Sequence, residues 1–117
     1  MTTADRAARI NHTTMNMIDH CQRGLARQPG NPEAHLSLGA AFRAHGRLDK
    51  AIACYQRALA LKPDIADAHY GLGTAFMAQG RLDKAIACYQ RALALKPDFA
   101  DALHNLGTTF KAQGAVR

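Results

Sequence analysis

The sequence spells one segment twice without a change: GRLDKAIACYQRALALKPD runs from Gly46 to Asp64 and again from Gly80 to Asp98. A repeat at a fixed period of about 34 residues signals one supersecondary unit that has been copied and stacked, because a unit of that size cannot bury its apolar face alone. The chain is therefore expected to fold as a row of such units.

The unit reads as helical. Ala, Leu, Lys, Arg and Gln dominate, Trp is missing, and the 4 prolines are too widely spaced to break long segments. At 117 residues and 48% hydrophobic content the chain can bury an aliphatic core, provided the apolar positions share faces. In residues 1–31, Ile10, Thr14, Met17, Cys21 and Leu25 form one helical stripe with Ile18 beside it. Thr3 is placed to cap that helix, and Arg27-Gln28-Pro29-Gly30 to end it. Pro29 stands in register with Pro63, so this segment reads as the eroded second helix of an earlier copy, covering one end of the stack.

From Asn31 the pattern sharpens. Asn31 is expected to cap a helix with Pro32 in its first turn, carrying His35, Leu38, Gly39 and Phe42 on one face and stopping near Gly46. A second helix follows from about Leu48 to Leu61, with Ala51, Ile52, Tyr55, Ala58 and Leu59 facing inward. Asp64 is read as the next cap, with Asp67 completing a variant capping box. The next copy sets His69, Leu72, Gly73 and Phe76 against Ala85, Ile86, Tyr89, Ala92 and Leu93. A third copy opens with Leu103, Leu106, Gly107 and Phe110. The expected organisation is an N-terminal helical segment 1–31, units at 32–65 and 66–99, and a half unit at 100–117.

These residues resemble the tetratricopeptide repeat (TPR). Its signature is a large residue, Leu-Gly, an aromatic, Ala with an aromatic four later, and a closing Pro. It appears as His35, Leu38-Gly39, Phe42, Ala51, Tyr55 and Pro63, and again as His69, Leu72-Gly73, Phe76, Ala85, Tyr89 and Pro97. The match runs over residues 32–114, and the chain departs from it where His35 and His69 replace a bulkier aromatic. The resemblance, which is also to the repeats of O-linked GlcNAc transferase-like bacterial proteins, implies an all-α, right-handed solenoid of stacked antiparallel helix hairpins. It also implies a non-catalytic protein-interaction role, with a peptide or protein segment held in a concave groove lined by the first helix of each unit.

The letter-identical second helix confines divergence to the first helices, at Glu33/Asp67/Asp101, Leu36/Tyr70/His104, Ser37/Gly71/Asn105, Ala40/Thr74/Thr108 and Arg43/Met77/Lys111. On a helical wheel these columns lie roughly opposite the core stripe, the face that lines the groove in the family. The candidate peptide-binding residues are Glu33, Ser37, Arg43, Asp67, Tyr70, Thr74, Met77, Asp101, His104, Asn105, Thr108 and Lys111. They give an acidic rung at one edge and a basic one near the other, suited to a peptide of mixed polarity. The acids also sit in first helical turns, where they favour the helix dipole whether or not a partner binds. The clustered Lys and Asn with which some family members clamp a terminal carboxylate are missing. Asn105 alone matches the asparagine ladder of the transferase repeats, which Ser37 and Gly71 interrupt.

Other chemistry finds no footing in the sequence. Gly71-Leu72-Gly73 lacks the third glycine of a dinucleotide loop, and no Walker sequence, HExxH or nucleophile elbow occurs. No enzyme activity, cofactor or metal site is expected. The net charge of +6 invites nucleic acid, but most basic residues recur with the unit as a solvated face and no aromatics are interleaved for stacking, so nucleic acid is not expected as a partner. Cys21, Cys54 and Cys88 form no CxxC pair and read as free thiols in a reducing compartment. The N-terminus lacks a signal peptide's apolar core, and no apolar run reaches membrane-spanning length; a cytoplasmic protein away from membranes is expected.

Two further readings stay open. The chain is the N-terminal repeat region of a larger enzyme such as a glycosyltransferase, or it self-associates. For the latter, Leu103, Leu106 and Phe110 form an association surface on a helix that lacks a following partner, giving a homo-oligomer through the C-terminal half unit.

Overall fold

A computed structural model describes residues 16–116. The expectations for Thr3, Ile10 and Thr14 lie outside them. Six helices follow one another: α1 (16–27), α2 (Pro32–Ala44), α3 (Leu48–Leu61), α4 (Ala66–Ala78), α5 (Leu82–Leu95) and α6 (Ala100–Val116), with no strand among the described residues. The most extensive packing joins α2 to α3 and α4 to α5; α3 then packs on α4, and α5 on α6. Connections this short force each pair into a hairpin, and the hairpins stack into an all-α solenoid.

Local chemistry sets the helix ends. The Asn31 side chain accepts a hydrogen bond from the Glu33 amide at 3.0 Å, with Pro32 in the first turn of α2. Helix α2 ends in a Schellman motif: the Arg47 amide donates to the Phe42 carbonyl at 2.9 Å and the Gly46 amide to Arg43 at 3.0 Å, with Gly46 at φ 81°. Arg81, Phe76, Gly80 and Met77 repeat the same geometry. Gly114 holds the equivalent position in α6, yet that helix runs on to Val116.

Two expectations need correction, and a third residue type gains an explanation. The N-cap of α4 is Ile65, which makes no side-chain cap, rather than Asp64, so no capping box forms with Asp67. An apolar residue there packs against the core instead. In α1 the core residue is Ile18, while Met17 is exposed and Cys21 and Leu25 are partly buried, so the buried stripe starts one residue later than the spacing implied. The histidines that replace a bulkier aromatic at the repeat openings have a role of their own: the Nε2 atoms of His35 and His69 donate to the carbonyls of Pro29 and Pro63 at 2.9 and 3.0 Å. Each ring pins the start of its helix to the preceding loop, where a plain aromatic would leave that carbonyl without this partner.

The core is a continuous seam. Ala41, Ala51, Ala58, Ala68, Ala75, Ala85, Ala92 and Ala102 are all buried, so helices approach closely, while Phe42, Tyr55, Phe76 and Tyr89 fill the gaps between them. Lys50 lies over the Phe42 ring and Arg81 and Lys84 over the Phe76 ring, closing the outer side of each hairpin. Register between units is fixed by Gln79 donating to Asp49 and, one period later, Gln113 donating to Asp83.

Candidate functional site

The first helices α2, α4 and α6 lie side by side, with α4 in contact with both α2 and α6. Between them opens a hollow of about 390 Å³. Helix α2 contributes Leu36, Ser37, Ala40 and Arg43, α4 contributes Asp67, Tyr70 and Gly71, and the third opening contributes Phe99 and Asp101, with Tyr55 of α3 below. Five of the residues expected at the groove, Ser37, Arg43, Asp67, Tyr70 and Asp101, are thereby brought together. Arg43 comes from the last turn of α2, whereas Asp67 and Asp101 come from the first turns of α4 and α6, so opposite charges are separated along the helix direction.

Other expected groove residues have a different setting. Asn105 donates to the hydroxyls of Tyr70 and Tyr89 at 3.3 and 3.5 Å. The Thr74 hydroxyl donates to the Tyr70 carbonyl at 3.0 Å, which leaves its oxygen to accept from the Tyr89 hydroxyl, also at 3.0 Å. The result is a one-way chain, Asn105 to Tyr89 to Thr74 to the α4 backbone, in which each bond polarises the next. Met77 sulfur lies 3.2 Å from the hydroxyl of buried Thr109, which also donates to the Asn105 carbonyl at 2.7 Å. Thr74, Met77 and Asn105 thus join the seam between α4, α5 and α6. Glu33, His104, Thr108 and Lys111 are exposed and do not line the hollow; the Thr108 hydroxyl donates to its own helix at the His104 carbonyl.

Five lining residues are missing from the candidates: Leu36, Ala40 and Gly71, which stand in the diverged columns, and Tyr55 and Phe99, which stand in none. Tyr55 belongs to the letter-identical helix assigned to packing, and its ring reaches the groove floor because Gly71 leaves room: a Cβ at Gly71 would sit 2.5 Å from Tyr55 Cζ. Phe99 precedes α6 and falls outside any helical wheel. It shares a column with Asn31 and Ile65, and that change of type was the available signal. Its ring lies 5.0 Å from Tyr70, which in turn lies 5.9 Å from Tyr89, and Lys96 covers Phe99 at 4.8 Å. Offset aromatic contacts of this kind make a firm apolar wall.

Burial governs the protonation of the phenols and thiols in and around the hollow. Burial raises the Tyr55 phenol above its ordinary value against the lowering effect of the Arg43 guanidinium beside it. Burial also raises Tyr89, opposed by its hydrogen bonds with Thr74 and Asn105. The Cys88 thiol is pushed up to about 11 by burial, with Lys84 opposing. Cys54 is raised by burial and by nearby Cys21, and Cys21 by burial. Protonated phenols and thiols of this kind pack and share hydrogen bonds. Among the described residues no group of His, Cys, Asp and Glu gathers to hold a metal, and no helix is long and apolar enough to cross a membrane.

Comparison with known proteins matches this geometry. The comparison with curated proteins finds no match. Among solved structures, the chain is similar to the first TPR of Spaghetti (RPAP3) bound to HSP90 peptide SRMEEVD, with TM-score 0.85 and 24% identity over 88% of this chain and 82% of that one, a likeness of fold alone. It is similar to MamA, with TM-score 0.81 and 31% identity over 86% of this chain and 55% of that one. It is also similar to a mutant O-GlcNAc transferase of Thermobaculum terrenum, with TM-score 0.80 and 31% identity over 93% of this chain. The chain spans about half of the MamA chain and 23% of the transferase. The family model of the TPR repeat matches residues 40–80 and 73–114, most of the described chain, and with the hairpins and their packing glycines it follows that the chain belongs to the tetratricopeptide repeat family.

Proposed function

We propose that the chain is a non-catalytic interaction module that receives an extended peptide or protein segment along the concave side of α2, α4 and α6. Repeats of this family typically mediate protein–protein interaction. The observation that carries the reading is the hollow with an aromatic lining of Tyr55, Tyr70 and Phe99 and with separated charges, Arg43 from the last turn of α2 and Asp67 and Asp101 from the first turns of α4 and α6. A peptide fits by setting a Lys or Arg against the two carboxylates, an apolar side chain on the rings and an acidic group toward Arg43. Glu33, His104, Thr108 and Lys111 form the exposed rim, while Thr74, Met77 and Asn105 hold the wall. The TPR of RPAP3 has an acidic-ended peptide bound; the carboxylates here disfavour such an end at the Asp67 and Asp101 side and call for a ligand of mixed charge.

Titrating the isotope-labelled chain with extended peptides of mixed charge, followed by NMR, tests this. Shifts are expected at Tyr70, Phe99 and Arg43. Joint substitution Asp67→Asn and Asp101→Asn is expected to weaken binding of the basic-residue peptides roughly tenfold. A response confined to the outer face of α3 and α5 would sink the proposal. Tyr70→Ala with Asn105→Ala serves as the groove-disrupting control in a pull-down.

A second reading, a repeat region within a longer glycosyltransferase-type enzyme, is favoured by 31% identity to the transferase repeats over 93% of this chain. Sequencing the reading frame around the gene for a contiguous catalytic region distinguishes the two.

A further inference from the structure

Among the described residues the same helix face occurs three times and is covered twice. Phe42 and Phe76 are 5% exposed beneath α3 and α5, whereas Phe110, at the same position of α6, is 47% exposed. Cβ atoms built on Gly39 and Gly73 would meet the rings of Tyr55 and Tyr89 at 3.0 and 2.9 Å, whereas Gly107 has nothing within 4 Å. Leu103, where His35 and His69 hold the preceding loop, is 60% exposed. The outer face of α6 is thus a seat shaped for a second-type helix, and the chain itself shows twice which kind of helix fills it.

At the other end, α1 is a second-type helix in the register of α3 and α5: Ile18 stands where Ile52 and Ile86 stand, and Leu25 where Leu59 and Leu93 stand. Its inner side already packs into the core through Ile18. Next to it Met17, about a quarter turn away on the helix and in the register of fully buried Ala51 and Ala85, is 53% exposed. Cys21 replaces the tyrosine of that register, and the longer, flexible Met17 offers volume that the smaller Cys21 lacks.

We propose that α6 of one copy and α1 of a second copy are the two halves of one hairpin, and that the chain associates head to tail by completing this repeat between molecules. The contact is heterologous, so each added copy presents a fresh end and association grows with concentration instead of stopping at a dimer. The interface lies at the ends of the stack and leaves the concave groove open.

Sedimentation of the full chain and of two variants tests the pairing. Phe110→Glu damages the α6 seat and Met17→Asp damages the α1 face; both side chains are exposed, and circular dichroism checks that each variant stays folded. The wild type is expected to show a mass that rises with concentration. Each variant alone is expected to be monomeric, with association at least about tenfold weaker. An equimolar mixture is expected to give a dimer and nothing larger, because each variant keeps one intact end. A wild type that stays monomeric at high concentration overturns the proposal. So does a Met17→Asp variant that associates like the wild type, which would mean α6 pairing with α6, and so does a mixture that stays monomeric.

Discussion

Glycine positions separate packing from permissiveness in this chain more sharply than any other residue type. Gly71 sits under Tyr55, with its missing Cβ only 2.5 Å from Cζ, while Gly107 faces open space in the exposed part of α6. Gly71→Ala must therefore displace a buried ring held on both sides, with an expected loss of about 1–3 kcal/mol. Gly107→Ala fills no occupied space and replaces a poor helix former, with an expected gain of about 0.5–1 kcal/mol. Urea denaturation of the two variants at low protein concentration checks both signs. The column Ser37, Gly71 and Asn105 looked like a specificity column because it diverged. In the folded chain Gly71 answers to Tyr55 and Asn105 to the hydroxyls of Tyr70 and Tyr89, so part of that divergence is packing.

At the scale of the element, hairpin ends differ in how they are sealed. Helix α2 has a side-chain cap from Asn31, whereas α4 starts at Ile65 and relies on burial of an apolar side chain. Asn31→Ala is expected to cost about 1 kcal/mol, while exposed Asp64→Ala, which removes no cap, is expected to stay within about 0.5 kcal/mol of the parent. Thermal unfolding of the pair measures the contrast. The helices and their turns were legible in the sequence from Pro32, Gly46, Pro63 and Gly80, each of which restricts or frees the backbone locally. The cap at Ile65 was not, because an aspartate one residue earlier satisfied the local pattern equally well and only packing of Ile65 chose between them.

For the whole molecule, stability resides in the seams between helices, and those seams hold protonated groups. The Cys88 thiol is raised from 9.0 to about 11, and Cys54, Tyr55 and Tyr89 are raised in the same direction. In the unfolded chain these protons leave first, so above pH 9 the unfolded state binds fewer protons than the folded one. Stability is then complete below pH 9 and falls as pH rises through the window to about 11. Cys88 alone is expected to account for about 1–2 kcal/mol of that fall. Urea midpoints measured from pH 7 upward should be flat and then decline, and Cys88→Ala should shallow the decline. A rise with pH would contradict the placement of these groups.

The sequence by itself determined the architecture, since an unbroken 34-residue period, helix-forming composition and turn glycines leave stacked hairpins as the way to bury each unit's face. It also marked Arg43, Asp67, Tyr70 and Asp101 as groove residues, because charge and divergence are visible letter by letter. Only the tertiary structure decided that Tyr55 and Phe99 complete the hollow, that Thr74, Met77 and Asn105 belong to a wall of hydrogen bonds, and that Gly107 and Phe110 stand uncovered. Each of those facts depends on what a neighbouring helix brings to within a few ångströms. Two letter-identical helices, α3 and α5, show the reason: Tyr55 meets Gly71 where Tyr89 meets Asn105, so one sequence has two surroundings.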